Sequence, residues 1–339
     1  MSAGKIQGLI PQFLCLAALT ACSTTSWTVE KAATATCMVS EELDPNLAIQ
    51  LSQWVQEDLE LVAGLLSLPV PDRPLEIYCG IPKASGGHLR LQPGESGRHQ
   101  SHGGHCRVEL HYGEGTRLRA ILRHELAHHV MEEAGFPEWL NEGLAEYASF
   151  QLAASPSATD FHQLLHAGMV VAGWGLPLEL VDASGHQHDF RPQLWVPNPE
   201  NLLAMDYDDY RREVMGRAGE ADPEFHAISH LLVRKLMRVQ GSEGPEVYLR
   251  ALEKEKDPFR AYMQACQLDE ASLFLNALAE ELHRTLHESN CTEASLQAFA
   301  WGPCLYGKLS DAQREGASGT VALQAYPSGR RFWLYDWQN

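Results

Sequence analysis

Arg123–Val130 reads R-H-E-L-A-H-H-V, and Trp139–Tyr147 reads W-L-N-E-G-L-A-E-Y. On an α-helix, residues four apart come back to nearly the same face one turn along. His124 and His128 can therefore offer both imidazoles to one ion. Glu125 sits beside the first histidine, close enough to touch a water on that ion without binding the metal. This is the H-E-x-x-H arrangement, in which zinc takes two histidines and the glutamate is the general base.

A catalytic zinc usually has a third protein ligand. One known solution needs Gly three residues and His six residues after the second histidine; Met131 and Ala134 stand there, which excludes it. The other takes a glutamate from the following helix. The first helix runs a few residues past His128 and turns at Gly135-Phe136-Pro137, and Glu142 follows about one turn into the next. Two helices packed across so short a turn bring Glu142 level with the histidines. Glu146, one turn further, faces the same way and can accept the free ring N–H of a ligand histidine, His124.

H-E-L-A-H followed by P-E-W-L-N-E-G-L-A-E-Y resembles the gluzincin metallopeptidases, in particular their short-spaced, peptidase-MA-like bacterial group. The strong part of the match covers Thr116 to Tyr147. The resemblance implies one Zn²⁺ held by His124, His128 and Glu142, Glu146 behind them, and hydrolysis of a peptide or protein substrate with Glu125 as base. It also implies an oxyanion donor on a later helix. F-H-A-I-S-H-L-L-V-R-K-L offers His226 and His230, and His226 falls where the family often has Tyr. The resemblance further implies that the edge of strand 106–112 holds an extended peptide. The implied fold is α+β, a small antiparallel sheet ahead of the H-E-x-x-H helix and a mostly helical C-terminal half.

The chain has 339 residues, enough for one large domain or two. Its formal net charge of -18 repels phosphate backbones, so nucleic acid is excluded as a partner class. Residues 1–21 read as a signal peptide, with Lys5 ahead of a short apolar run. The run ends in L-T-A-C (Leu19–Cys22), which resembles the lipobox of bacterial lipoproteins. That resemblance implies lipidation of Cys22, export and a membrane anchor, and Ser23 after it favours the outer membrane. Six cysteines remain: Cys37, Cys79, Cys106, Cys266, Cys291 and Cys304. In an exported chain they read as disulfides, with Cys79–Cys106 paired across adjacent strands and Cys291–Cys304 closing a local loop.

The expected organisation is a lipidated tether over 22–44 and an amphipathic helix with a small sheet over 45–115. The zinc-site and helical part spans 116–289, and a small β appendage spans 290–339. In the first helix Leu47, Leu51, Val55, Leu59, Val62 and Leu66 recur at helical spacing. L-E-I-Y-C (75–79) and C-R-V-E-L-H-Y (106–112) read as strands, with a Gly- and His-rich loop from Gly86 to Gly104 between them. The loop histidines His99, His102 and His105 read as loop residues, His129 as lying off the ligand face, and Glu132 and Glu133 as a solvated helix end. The rival to an enzyme is a catalytically idle, zinc-stabilised binding or assembly lipoprotein; retention of Glu125 favours the enzyme.

Overall fold

The computed structural model describes residues 26–81, 89, 91, 96–112, 117–154, 158–175, 178–182, 187–190, 196–214, 222–288, 319–325 and 330–337. Residues 1–21, read as a signal peptide, and Cys22, Cys291 and Cys304 lie outside the described residues. Among the described residues, no helix is long and apolar enough to cross a membrane.

The protein is α+β. Strands β1 (Trp27–Lys31) and β2 (Ala35–Ser40) pair antiparallel. They occupy much of the stretch expected to be tether. Ala35, Cys37 and Val39 alternate inward and are buried, a period-two signal that the Ser, Thr and Ala content of the region obscures. Helix α1 (Asn46–Leu66) then buries the expected stripe from Leu47 to Leu66. Its C-cap, Ser67, takes the left-handed conformation, φ 56°.

β3 (Leu75–Gly80) lies parallel to β2, so α1 is the crossover that parallel neighbours require. β4 (Gly97–His102), in what reads as a loop, forms a hairpin with β5 (His105–His111), the strand expected over 106–112. Its two-residue turn is Gly103-Gly104, with φ of 59° and 83°, the positive pair that a tight primed hairpin turn needs. The strand order is β1-β2-β3-β5-β4. The sheet is thus mixed rather than antiparallel, because β3 and β5 also run parallel. β5 is interior, and β4 rather than strand 106–112 forms the edge.

The parallel register overturns the Cys79–Cys106 disulfide. In an antiparallel pair the end of β3 would meet the start of β5. Here Cys79 lies opposite Leu110, and Cys106 lies opposite Leu75. Four residues along a strand is about 13 Å, far beyond the roughly 7 Å a disulfide can span. Cys37, Cys79, Cys106 and Cys266 are all free, buried thiols. Burial pushes Cys37, Cys79 and Cys266 up to about 12, so these three are packing residues of low reactivity.

After the sheet come α2 (Leu118–Met131), α3 (Glu138–Gln151) and α4 (Ala158–Gly173). Gly135 (φ 65°) and Pro137 make the α2–α3 turn. Strands β6 (Leu178–Asp182) and β7 (Gln187–Phe190) follow, then short α5 (Pro199–Ala204) and α6 (Tyr207–Asp209), and a π-helical turn, Tyr210–Val214. The remaining helices are α7 (Asp222–Gln240), α8 (Gly244–Glu255), α9 (Pro258–Ala265) and α10 (Phe274–Glu288). β8 (Gly319–Ala325) and β9 (Arg330–Trp337) close the chain. They are not a separate appendage: an antiparallel sheet of order β7-β6-β8-β9 joins them to the middle of the chain.

Buried charge fastens the elements around the site. Asp58 of α1, fully buried, faces Arg119 (2.8 and 2.9 Å) and Arg123 (3.0 and 3.1 Å) on α2. Arg234 of α7 donates to Thr285 of α10 at 2.8 Å. Asp58→Asn removes the carboxylate shared by two guanidinium groups, of which Arg119 keeps Glu57 as a partner. Losing one partner of a fully buried pair costs about 3–5 kcal/mol. Arg119 is partly exposed, so the expected loss here is about 2–3 kcal/mol, measurable as a lower urea midpoint with unchanged slope.

A candidate metal centre on three helices

His124 and His128 leave the same face of α2, and their Nε2 atoms are 3.0 Å apart. Two ring nitrogens so close need a proton or a cation between them. Glu142 of α3 points at them: its Oε2 lies 3.4 Å from His124 Nε2 and 3.4 Å from His128 Nε2. From the far side, α7 brings His226 Nδ1 to 3.3 Å from the same oxygen. None of these approaches is aligned as a hydrogen bond, and Glu142 Oε2 is buried without a hydrogen-bond partner. One carboxylate oxygen is therefore surrounded by imidazole nitrogens from two other helices, at spacings suited to sharing an ion. His124, Glu142 and His226 form a group able to hold a metal ion, with His128 against the same carboxylate.

Glu146, one turn on from Glu142, has Oε1 3.4 Å from His124 Nδ1 and 3.2 Å from His226 Nδ1. It lies where its spacing puts it, beside His124, and faces His226 as well. Gln163 of α4 also bonds to it. Behind His226, the Tyr210 hydroxyl is 3.4 Å from Nε2. Glu125 is buried beside the histidines, and burial, ahead of other influences, raises its carboxyl above the ordinary range. A base of raised pKa accepts a proton more readily near neutrality.

The charges favour a cation. Glu125, Glu138, Glu142 and Glu146 are gathered around three histidines, all with little exposure. Burial opposes charge on Glu142, yet His128 and His226 outweigh it and hold the carboxyl well below its usual range. Burial likewise opposes charge on Glu146, but His124 and His226 keep it down at about 2. His128 shows the converse: burial disfavours its charged form, and Glu142 together with Glu125 and Glu138 still raises it to about 9. Burial and the neighbouring Glu142 push Glu138 up to about 7.

All the residues singled out on the two motifs meet here, together with His226. His230 does not. It is fully buried, lies against the Phe150 ring at 5.3 Å, and neither ring nitrogen has a hydrogen-bond partner. Burial lowers it to about 3, so it stays neutral within the helix packing. Glu138 and Tyr210 were not anticipated. The Glu138-Glu142-Glu146 spacing of four would have revealed Glu138; Tyr210, in the irregular stretch before α7, leaves no such pattern.

Two glycines set the packing. At Gly143 a Cβ would sit 2.4 Å from Ser229 O and 2.6 Å from Val233 Cγ2, so the motif glycine is where α3 and α7 cross. At Gly97 a Cβ would meet Glu125 Oε1 at 2.5 Å, so β4 passes directly over the glutamate. Gly143→Ala must push α7 from α3, and with it His226 from Glu142. Overpacking of this kind costs about 1–3 kcal/mol; urea unfolding should show the loss, and unchanged stability would contradict so close a crossing.

No protein-family model matches the chain, and no curated protein matches it.

Proposed function

We propose that the protein is a zinc-dependent peptidase of the gluzincin type, exported and held at a bacterial membrane by lipid on Cys22. The observation that carries the reading is the buried, unpartnered Glu142 Oε2 ringed by His124, His128 and His226 nitrogens at 3.3–3.4 Å, with Glu125 alongside. A donor set of two imidazoles four apart plus a carboxylate from the next helix suits zinc.

In this reading His124, His128 and Glu142 hold the ion, which when bound acts as a Lewis acid and lowers the pKa of a water. Glu125 takes the proton of the attacking water on its carboxylate and returns it to the leaving amine. Glu146 holds His124 in one tautomer and orientation. His226, set beside Glu142 and backed by Tyr210, stands where an imidazole N–H can meet the oxygen that becomes negative as the scissile carbonyl is attacked. The edge strand β4, close over Glu125, offers main-chain groups to an extended peptide.

The test is incubation of the intact chain, zinc-depleted and zinc-reconstituted, with a mixed peptide library. Cleavage that disappears with depletion and returns with Zn²⁺ is expected. A fully loaded protein that cleaves nothing would instead support the idle, zinc-stabilised binding lipoprotein.

A further inference from the structure

The opposite flank of α2 carries a second cluster. His128 and His129 are consecutive, so their side chains leave the helix about 100° apart. His129 turns away from Glu142 and toward the β4–β5 hairpin. There it meets His99 of β4, Cys106 of β5 and Glu132 at the end of α2. One ligand atom from each of the four lies within 4.8 Å of every other. Cys106 Sγ is 3.2 Å from Glu132 Oε2, and the His99 and His129 rings are 5.8 Å apart. Glu132 Oε1 is engaged by Arg73 at 2.9 Å, which leaves Oε2 for the cluster. The Ser101 hydroxyl is 4.0 Å from the thiol.

Two observations point to a ligand. His99 Nε2 and His129 Nδ1 are both buried without a hydrogen-bond partner, which a folded protein seldom leaves uncompensated. The donor set, two nitrogens, a sulfur and an oxygen, is also one that tetrahedral zinc accepts. In such a site adjacent ligand atoms are about 3.4–3.7 Å apart, given bonds of roughly 2.0–2.3 Å. The 3.2 Å Cys106–Glu132 edge is already near that, and the rest of the shell needs only modest contraction. Burial also holds the His99 ring neutral, the form that binds metal.

We propose that His99, Cys106, His129 and Glu132 form a second zinc site, closed by four protein ligands and therefore structural. It ties the edge hairpin to α2. Since Gly97 of that hairpin passes over Glu125, the clamp fixes β4 against the flank of the first centre. Cys106 thereby acquires a role as a thiolate ligand, distinct from Cys79 at the other end of the parallel pair. The inference is independent of the peptidase reading: the first centre contains no sulfur, so the two can be told apart spectroscopically.

The test uses Co²⁺ added to the intact, metal-free chain. Two equivalents should bind, with a near-ultraviolet thiolate-to-cobalt absorption band. Cys106→Ser should lose the band and one equivalent, whereas Cys79→Ser should keep both. Glu142→Ala should lose the other equivalent and keep the band. Should Cys106→Ser fail to fold, His99→Ala supplies the second variant and should also bind one equivalent less. Absence of a thiolate band in the wild type, or a band and stoichiometry unchanged by Cys106→Ser or His99→Ala, would overturn the proposal.

Discussion

A Glu125→Gln protein is expected to fold, to load zinc as the wild type does, and to hydrolyse peptides at least about 100-fold more slowly. The amide is nearly isosteric with the carboxylate, and in the proposed centre the metal contacts come from His124, His128 and Glu142, so fold and occupancy persist. What disappears is the group that takes a proton from water. General-base catalysis typically contributes about 10²–10⁴-fold, and its dependence on the activated water can enlarge the loss. Burial of Glu125 sharpens the expectation, because a carboxyl raised above its usual range is a stronger base than an exposed one. Unimpaired turnover by the Gln protein would remove Glu125 from the mechanism.

Glu142→Ala should abolish zinc binding at the first centre, whereas Glu133→Ala should leave it intact. All three imidazoles approach Glu142 Oε2, and removing it leaves His124 and His128 facing each other at 3.0 Å without the carboxylate that meets both of their Nε2 atoms. Glu133 is largely exposed at the end of α2 and pairs with Arg73. Glu146→Ala should fall between them, since it would act on the metal only through the ligand His124; such partners usually contribute about 10–100-fold in affinity or activity. Equal zinc content in the Glu142 and Glu133 variants, by elemental analysis, would contradict the ligand assignment.

Much of the first centre was legible because helical spacing is local. The i, i+4 pairs His124/His128 and Glu142/Glu146, and the Gly135-Phe136-Pro137 turn, specify relative position with no knowledge of the rest of the fold. The same holds for α1, whose apolar stripe from Leu47 to Leu66 is read from spacing alone and is buried as expected. The sheet was harder because strand direction is a non-local property. L-E-I-Y-C and C-R-V-E-L-H-Y are recognisable strands, but only the α1 crossover and the inserted hairpin make them parallel, and that separates Cys79 from Cys106. His99 reads as a loop residue because it lies in a Gly-rich stretch, yet Gly103 and Gly104 form the hairpin turn that pairs its strand with β5. His129 leaves the face of α2 that carries His124 and His128, so helical spacing gives it no role. Its value depends on what the sheet presents to the opposite flank, which helical periodicity alone does not report.

Crystallography at the zinc absorption edge decides whether the cluster on α2, α3 and α7 is a zinc centre. An anomalous peak is expected about 2.0–2.2 Å from His124 Nε2, His128 Nε2 and a Glu142 carboxylate oxygen, with Glu125 outside bonding distance. A zinc-supplemented crystal with no peak there, and a protonated His128 paired with Glu142 in its place, would contradict the zinc assignment.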